Sequence, residues 1–227
     1  TGNGGTGTLT YSWNNGAGSG ASVSVSPIVT TTYTVTVEDE NGCTNSDQVT
    51  VTVVPDPSVS IEDDGNVVCE DGTIRYTATI SGGLDCGNVI YESRELGETN
   101  WGSAGTGLIT EVGPGLPPGT YEIRARYACD GEGCDDATSD IMTFTIEPDP
   151  SVSISIDDDV LCLGETATLT ATTGGGIDCG NVMWTLSTAG GTEVATSTGA
   201  TYTTPNNLAA GDYEVVATYN CDGEACD

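Results

Sequence analysis

The string PDPSVSI occurs at residues 55–61 and again at 148–154, and that duplication constrains the fold more than any other feature of the chain. Carried forward by the same 93 residues, Cys69 aligns with Cys162, Cys86 with Cys179, and the DCGNV that begins at Asp85 with its copy at Asp178. Cys129 and Cys134 align with Cys221 and Cys226 at an interval one residue shorter. Self-similarity at a fixed period marks an array of repeated structural units. Two homologous units follow, residues 58–147 and 151–227. Residues 1–57 are a partial relative, with Trp13, TTTYTVTV and the turn ENGC but no counterpart of the region carrying Cys69. The first unit is therefore expected to lack its first strands. The third is expected to lack its last, because it stops after Cys226 where the others run on into QVTVTVV (from Gln48) or IMTFTIE (from Ile141). On this reading the sequence is a window on a longer chain.

Within each unit the apolar residues alternate. Tyr33, Val35 and Val37 are separated by threonines, and Tyr121, Ile123, Ala125 and Tyr127 correspond to Tyr213, Val215, Ala217 and Tyr219. Period two with β-branched and aromatic residues means half-buried strands, and no window carries a helical period. Short strands between Gly, Asn, Asp and Pro turns at this repeat length predict an all-β fold: tandem Ig-like (PKD-like) Greek-key β-sandwich domains of about seven strands each, in an elongated rod. GTY before the Tyr121 strand and GDY before the Tyr213 strand each place a tyrosine just after a corner, as Ig-like sandwiches do. Trp13, Tyr91 and Trp184 take one equivalent strand position and are expected to fill the sandwich centre.

Composition narrows the function. With 34 acidic residues, 4 arginines and lysines together, and no histidine, the formal charge is −30 over 227 residues. Such a polyanion repels nucleic acid and attracts cations. Missing histidine excludes Ser-His and Cys-His nucleophile activation and His-based zinc sites. Because all four cations are arginine, Ser-Lys and Schiff-base chemistry and Lys–Asn isopeptide crosslinks are excluded too, so no enzyme is expected. Paired carboxylates are too abundant to signal a glycosidase without a cleft. Nine cysteines at repeated spacings indicate an oxidising compartment. No apolar run approaches a membrane span of about 20 residues, so an export signal and any anchor are expected outside this segment.

Acidic clusters are the candidate metal ligands. Asp56 and Asp149 lie in the linkers, Glu62 and Asp63 follow the first of them, and Asp157 and Asp158 take the matching place in the third unit. Oxygen ligands in Gly-containing loops suit calcium, Ca2+ being the one cofactor the sequence suggests, at the unit junctions. None has EF-hand spacing, and solvated acidic loops are the competing reading. Trp101, in the loop ETNWGSAG, is the single candidate for an exposed aromatic at a binding tip. Arg75, Arg94, Arg124 and Arg126 all fall in the second unit, where pairing with nearby carboxylates competes with contact to an acidic neighbouring copy.

Four cysteines per complete unit allow three connectivities. Cys69 and Cys86 flank one strand of about ten residues at roughly 3.3 Å each, too far for a bond to each other. Cys86 is expected to pair with Cys129 and Cys179 with Cys221, since those loops share one end of an Ig-like sandwich. Cys69, at the far end, would then bond Cys226 across the junction, leaving Cys43, Cys134 and Cys162 for partners outside the window. The rival scheme pairs Cys69 with Cys134 and Cys162 with Cys226 inside each unit.

The runs VLCLGETATLTAT and GDYEVVATY resemble the Ig-like repeats of giant Bacteroidota surface proteins. GGTGTLTYSWNNGA, TTTYTVTVEDENGC and QVTVTV resemble the repeats of the SprB-type gliding-motility adhesin and related PKD-like domains. The resemblance implies type 9 secretion and an extracellular, cell-surface location, with outer-membrane attachment through regions outside this segment. It also implies a role in cell adhesion, gliding motility or a filament. The expected function is a secreted, rigid, disulfide-stapled stalk or fibre segment whose partners are other domains or copies of the same protein, or surface glycans and proteins. A glycan- or protein-binding module and spacer domains of a secreted hydrolase are the alternatives. Almost no flexible residue separates one unit's last strand from the next unit's first, and prolines fix φ on either side of Asp56 and Asp149.

Overall fold

The computed structural model describes residues 2–131, 134–222 and 226. Among them there is no helix. The strands are β1 (Thr10–Trp13), β2 (Gly18–Ser19), β3 (Thr31–Glu38), β4 (Thr44–Val51), β5 (Ser58–Asp63), β6 (Val67–Cys69), β7 (Ile74–Ser81), β8 (Cys86–Glu95), β9 (Gly102–Thr106) and β10 (Ile109–Val112). They continue with β11 (Gly119–Cys129), β12 (Ala137–Thr138), β13 (Met142–Glu147), β14 (Ser151–Ile156), β15 (Thr168–Gly174), β16 (Met183–Thr188), β17 (Glu193–Thr198), β18 (Thr201–Thr203) and β19 (Tyr213–Thr218). By its contacts the chain divides into two compact units. One is Thr1–Ser58 with Ser81–Cys86 and Cys129–Asp135; the other is Val59–Ile80 with Gly87–Ala128 and Asp136–Asp227.

The second repeat is a complete Ig-like sandwich. One sheet has the order β10-β7-β5, the other β6-β13-β11-β8-β9, with β12 also on β11. Alternation puts Ile74, Tyr76, Val89, Tyr91, Ile123, Ala125, Phe144 and Ile146 in the core, each no more than 2% exposed. The two tyrosine corners close as their sequence predicts: the Tyr121 hydroxyl donates to the Pro117 carbonyl at 2.8 Å, and that of Tyr213 to Ala209 at 3.1 Å. Each fixes the chain's entry into the strand that follows.

In the third repeat the sheets are β14-β15-β18 and β17-β16-β19. These reproduce β5-β7-β10 and β9-β8-β11 strand for strand. Its core is Leu169, Val182, Trp184, Leu186 and Tyr202. Nothing among the described residues takes the place of β13, and residues 160–162, aligned with β6, are not a strand.

The first repeat is one four-stranded sheet, β2-β1-β3-β4. Trp13 is only half-buried there, with Nε1 donating to the Gly20 carbonyl at 3.0 Å. The expectation that all three aromatics fill a sandwich centre therefore holds for Tyr91 and Trp184, which are buried, and fails for Trp13, which has no second sheet over it.

Candidate functional site

The most elaborate local structure sits where a linker enters a sandwich, and it is built twice. In the first copy the Gly83 amide donates to the Pro55 carbonyl at 2.9 Å; in the second Gly176 donates to Pro148 at 2.8 Å. Gly82 and Gly83 have φ of 65° and 81°, and Gly175 and Gly176 have 67° and 79°. That left-handed conformation costs glycine nothing and other residues about 1 kcal/mol or more. Space demands glycine as well. A Cβ on Gly82 would collide with the Asp56 carbonyl, and one on Gly83 with the Sγ atoms of Cys86 and Cys129. In the second copy the same collisions fall on Asp149, Cys179 and Cys221.

Those sulfur atoms form the clamp's other wall. Cys86 is bonded to Cys129 and Cys179 to Cys221, each bond linking the strand or loop after a Gly-Gly turn to the end of β11 or to the loop just past β19. Asp85 and Asp178, at φ 53° and 52°, make the bend between the glycines and the cysteine. Their carbonyls accept from the amides of Asp130 at 3.3 Å and Asp222 at 3.4 Å. Pro-Asp-Pro, Gly-Gly, Asp-Cys and the second cysteine thus form one device: the linker is hydrogen-bonded to a turn, and the turn is packed on a disulfide. Sequence reasoning treated these glycines only as turns. The signal that could have found their role was their fixed distance from both PDP and DC in the two copies.

The third disulfide joins Cys69 to Cys226, with Cα atoms 5.3 Å apart and 157 residues between them in sequence. It ties the second repeat to the third. Cys69 is fully buried on β6, which runs parallel to the end of β13 with Cys69 opposite Glu147. Cys43 and Cys162 are free and exposed, and Cys134 is free and half-buried.

Among the described residues no three carboxylates, cysteines or histidines converge. Asp157 Oδ1 instead accepts from the Thr168 amide at 2.7 Å, and Asp158 Oδ1 from that of Val160 at 3.1 Å. Asp56, Glu62 and Asp149 are exposed, and Asp63 is half-buried on β5. Asp39 lies in the turn that follows β3. Amides of Thr6 (3.0 Å), Cys43 (2.9 Å) and Asn41 (3.0 Å) donate to its carboxylate and hold its pKa below the usual range.

Trp101 is not an exposed loop-tip aromatic. Arg94 and Arg124 lie over its ring, their guanidinium carbons 4.3 and 4.1 Å from the centroid. Arg94 pairs with Glu122 at 2.6 Å, and Arg124 with Glu92 at 2.8 Å. Arg126 reaches Glu92 at 3.6 Å and Asp136 at 3.4 Å. Arg94, Arg124 and Arg126 are thus paired within the second repeat, where partly exposed pairs contribute about 0–1 kcal/mol each.

No protein-family model matches the chain, and no curated protein matches it. Solved structures of tandem domains do. Domains A168–A170 of titin align over 95% of this chain and 84% of theirs, at 15% identity and a TM-score of 0.38. The titin I-band fragment I67–I69 aligns over 94% and 83%, at 13% identity and 0.42. A tetra-tandem repeat from the extending region of a large adhesion protein aligns over 94% and 66%, at 16% identity and 0.29. Likeness at this level carries no argument about function. The strand order of the sheets themselves defines the class: all-β, tandem Ig-like sandwich repeats.

Proposed function

We propose that the chain is a non-catalytic segment of an exported, cell-surface stalk or fibre, a rod of Ig-like repeats stapled at its linkers. The observation that carries this reading is the clamp built twice at Pro55 and Pro148, together with the Cys69–Cys226 bond between successive repeats. A module that only had to fold would need neither a linker hydrogen-bonded to a Gly-Gly turn nor a bond between repeats. Both remove freedom at a linker, which is what holding a distal part at a fixed distance requires. Three disulfides fit an extracellular setting. The motif resemblance to SprB-type repeats favours the bacterial outer surface, with attachment through regions outside this segment and copies or neighbouring domains of the same protein as partners.

Single-molecule pulling tests the reading. With disulfides intact, the chain between Cys69 and Cys226 is bypassed by the covalent path and cannot lengthen under load. Reduction should release it as a large added contour length. Equal extension before and after reduction would contradict a stapled stalk.

A further inference from the structure

Asp-Pro occurs twice in the chain, at Asp56–Pro57 and Asp149–Pro150, and both bonds lie in linkers. Several acids of the repeats have their carboxylates engaged: Asp64 Oδ1 accepts from the Arg75 amide at 2.8 Å, Asp157 Oδ1 from that of Thr168 at 2.7 Å, and Asp39 from three amides. Asp56 and Asp149 are exposed, and among the described residues no donor is bonded to either carboxylate. Their main chain, by contrast, is held still. The preceding carbonyls, of Pro55 and Pro148, accept from the amides of Gly83 and Gly176. The carbonyls of Asp56 and Asp149 rest on the bare Cα atoms of Gly82 and Gly175, and the rings of Pro57 and Pro150 lie against Gly83 and Gly176. Each linker thus presents a fixed peptide carbonyl beside a carboxyl that is free to turn.

We propose that the two linkers are self-cleavage sites, at which the aspartate's own carboxyl breaks the bond to proline. A carboxylate oxygen attacks the carbonyl carbon of the same residue and closes a cyclic anhydride. The C–N bond breaks with its electron pair left on the proline nitrogen, which takes a proton from solvent and departs as a secondary amine. Water then opens the anhydride and leaves a C-terminal aspartate. Proline is the favourable leaving group because its tertiary amide nitrogen is more basic than that of other peptide bonds. Attacking group and target belong to one residue, and holding the carbonyl still keeps them within reach of each other. Protonation of the leaving nitrogen makes the step faster in acid. Packed against each linker are the Gly-Gly turn, the proline ring and the disulfide, none of which titrates.

The two cuts differ in consequence. Asp149–Pro150 lies inside the loop closed by Cys69–Cys226, so the second and third repeats stay joined after it. Asp56–Pro57 lies outside all three disulfides, and Cys43, the only cysteine before it, is free. Acid therefore leaves no covalent path between the first repeat and the second, while the staple holds the other two together. The inference does not rest on the stalk reading.

The test holds the folded chain, its free thiols alkylated, at pH 4 and samples it over days by mass spectrometry and by denaturing gels with and without reductant. New N-termini at Pro57 and Pro150 are expected. Without reductant, residues 57–227 should run as one species; with it they should separate into 57–149 and 150–227. Asp56→Glu and Asp149→Glu keep the charge but lengthen the ring that must close, and each should slow its own cut about tenfold or more. Equal cleavage in the glutamate variants would overturn the proposal, as would scission spread evenly over the other aspartates. So would a folded chain left intact under conditions that cut the urea-unfolded chain at the same two bonds, since the clamp would then seal the linkers.

Discussion

The second and third repeats share PDPSVSI, DCGNV and the tyrosine corner, yet they bury the same positions to different depths. Ile123 is fully buried and the aligned Val215 is half-buried; Cys69 is fully buried and the aligned Cys162 is exposed. In the second repeat β13 covers β11, takes β6 as a parallel neighbour and closes the core over Tyr121 and Phe144, whose rings stack at 5.3 Å. Residues 151–227 of the third repeat include no segment aligned with β13, and residues 160–162, aligned with β6, form no strand. Sequence similarity between aligned strands does not by itself predict equal packing, because burial also depends on what lies beside them.

The largest effect expected on this pair is covalent. Replacing Cys69 and Cys226 with serine removes a crosslink whose loop is long, and chain entropy puts the loss at about 4–5 kcal/mol. Calorimetry should show the third repeat melting apart from the second once the bond is gone. A single unchanged transition would mean that noncovalent contacts already couple them. Next comes a matched pair of truncations. Ile123→Ala should lower stability by about 2–5 kcal/mol, because it opens a hole in a closed core, while Val215→Ala should cost no more than about 1 kcal/mol. Equal losses would erase the contrast.

A smaller effect concerns where each repeat keeps its buried phenol. Tyr76 on β7 faces Thr110 across the ladder, whereas in the third repeat Leu169 takes the β15 position and Tyr202 the β18 one. The aromatic has crossed to the partner strand. Tyr76 packs edge-on to Phe144 with centroids 6.2 Å apart, while Tyr202 stacks on Trp184 at 5.9 Å. Neither hydroxyl finds a hydrogen-bond partner. Burial, aided by Asp63 and Asp64, pushes the Tyr76 pKa far up, so the folded state disfavours the phenolate. Stability should therefore be complete below the unfolded pKa of about 10 and fall as pH rises above it. Tyr76→Phe should make that fall smaller, leaving the shares of Tyr91, Tyr121 and Tyr202, whose phenols burial also pushes up, and should add about 1 kcal/mol at neutral pH by deleting an unsatisfied group. A loss of stability instead would mean that a water serves the hydroxyl.

Much of this was legible in the chain itself. Alternation located the strands because both sandwich sheets have one wet face, and the GTY and GDY corners announced themselves by spacing. Strand arithmetic separated Cys69 from Cys86, leaving two schemes between which only three-dimensional placement could choose. Less visible was anything that depends on a side chain's neighbours. Trp101 looks exposed in sequence because its loop is polar, but the two arginines that cover it come from β8 and β11. Asp157, Asp158 and Asp39 turn oxygens to nearby amides, a use that carries no signature beyond the residue type.

The mildest test lies in the first repeat, where one carboxylate closes the turn between the last two strands. In the later repeats the same strand, β11 or β19, leads into a disulfide cysteine; here β3 leads to Asp39, which holds the amides of Thr6, Asn41 and Cys43. Those bonds favour the ionised acid, so its folded pKa lies below the unfolded value of about 4. A depressed pKa contributes stability that is present above about pH 4 and is lost as pH falls through the folded value. Hydrogen exchange at the three amides, corrected for intrinsic rate, should speed up below pH 4 in the native chain. With Asp39→Asn it should be faster at neutral pH and nearly independent of pH. Salt should change little, because the donors are backbone dipoles and not distant charges. If the three amides exchange equally at pH 3 and pH 6, the turn is held by the ladder of β3 and β4 alone, and the parallel between a carboxylate closure and a disulfide closure fails.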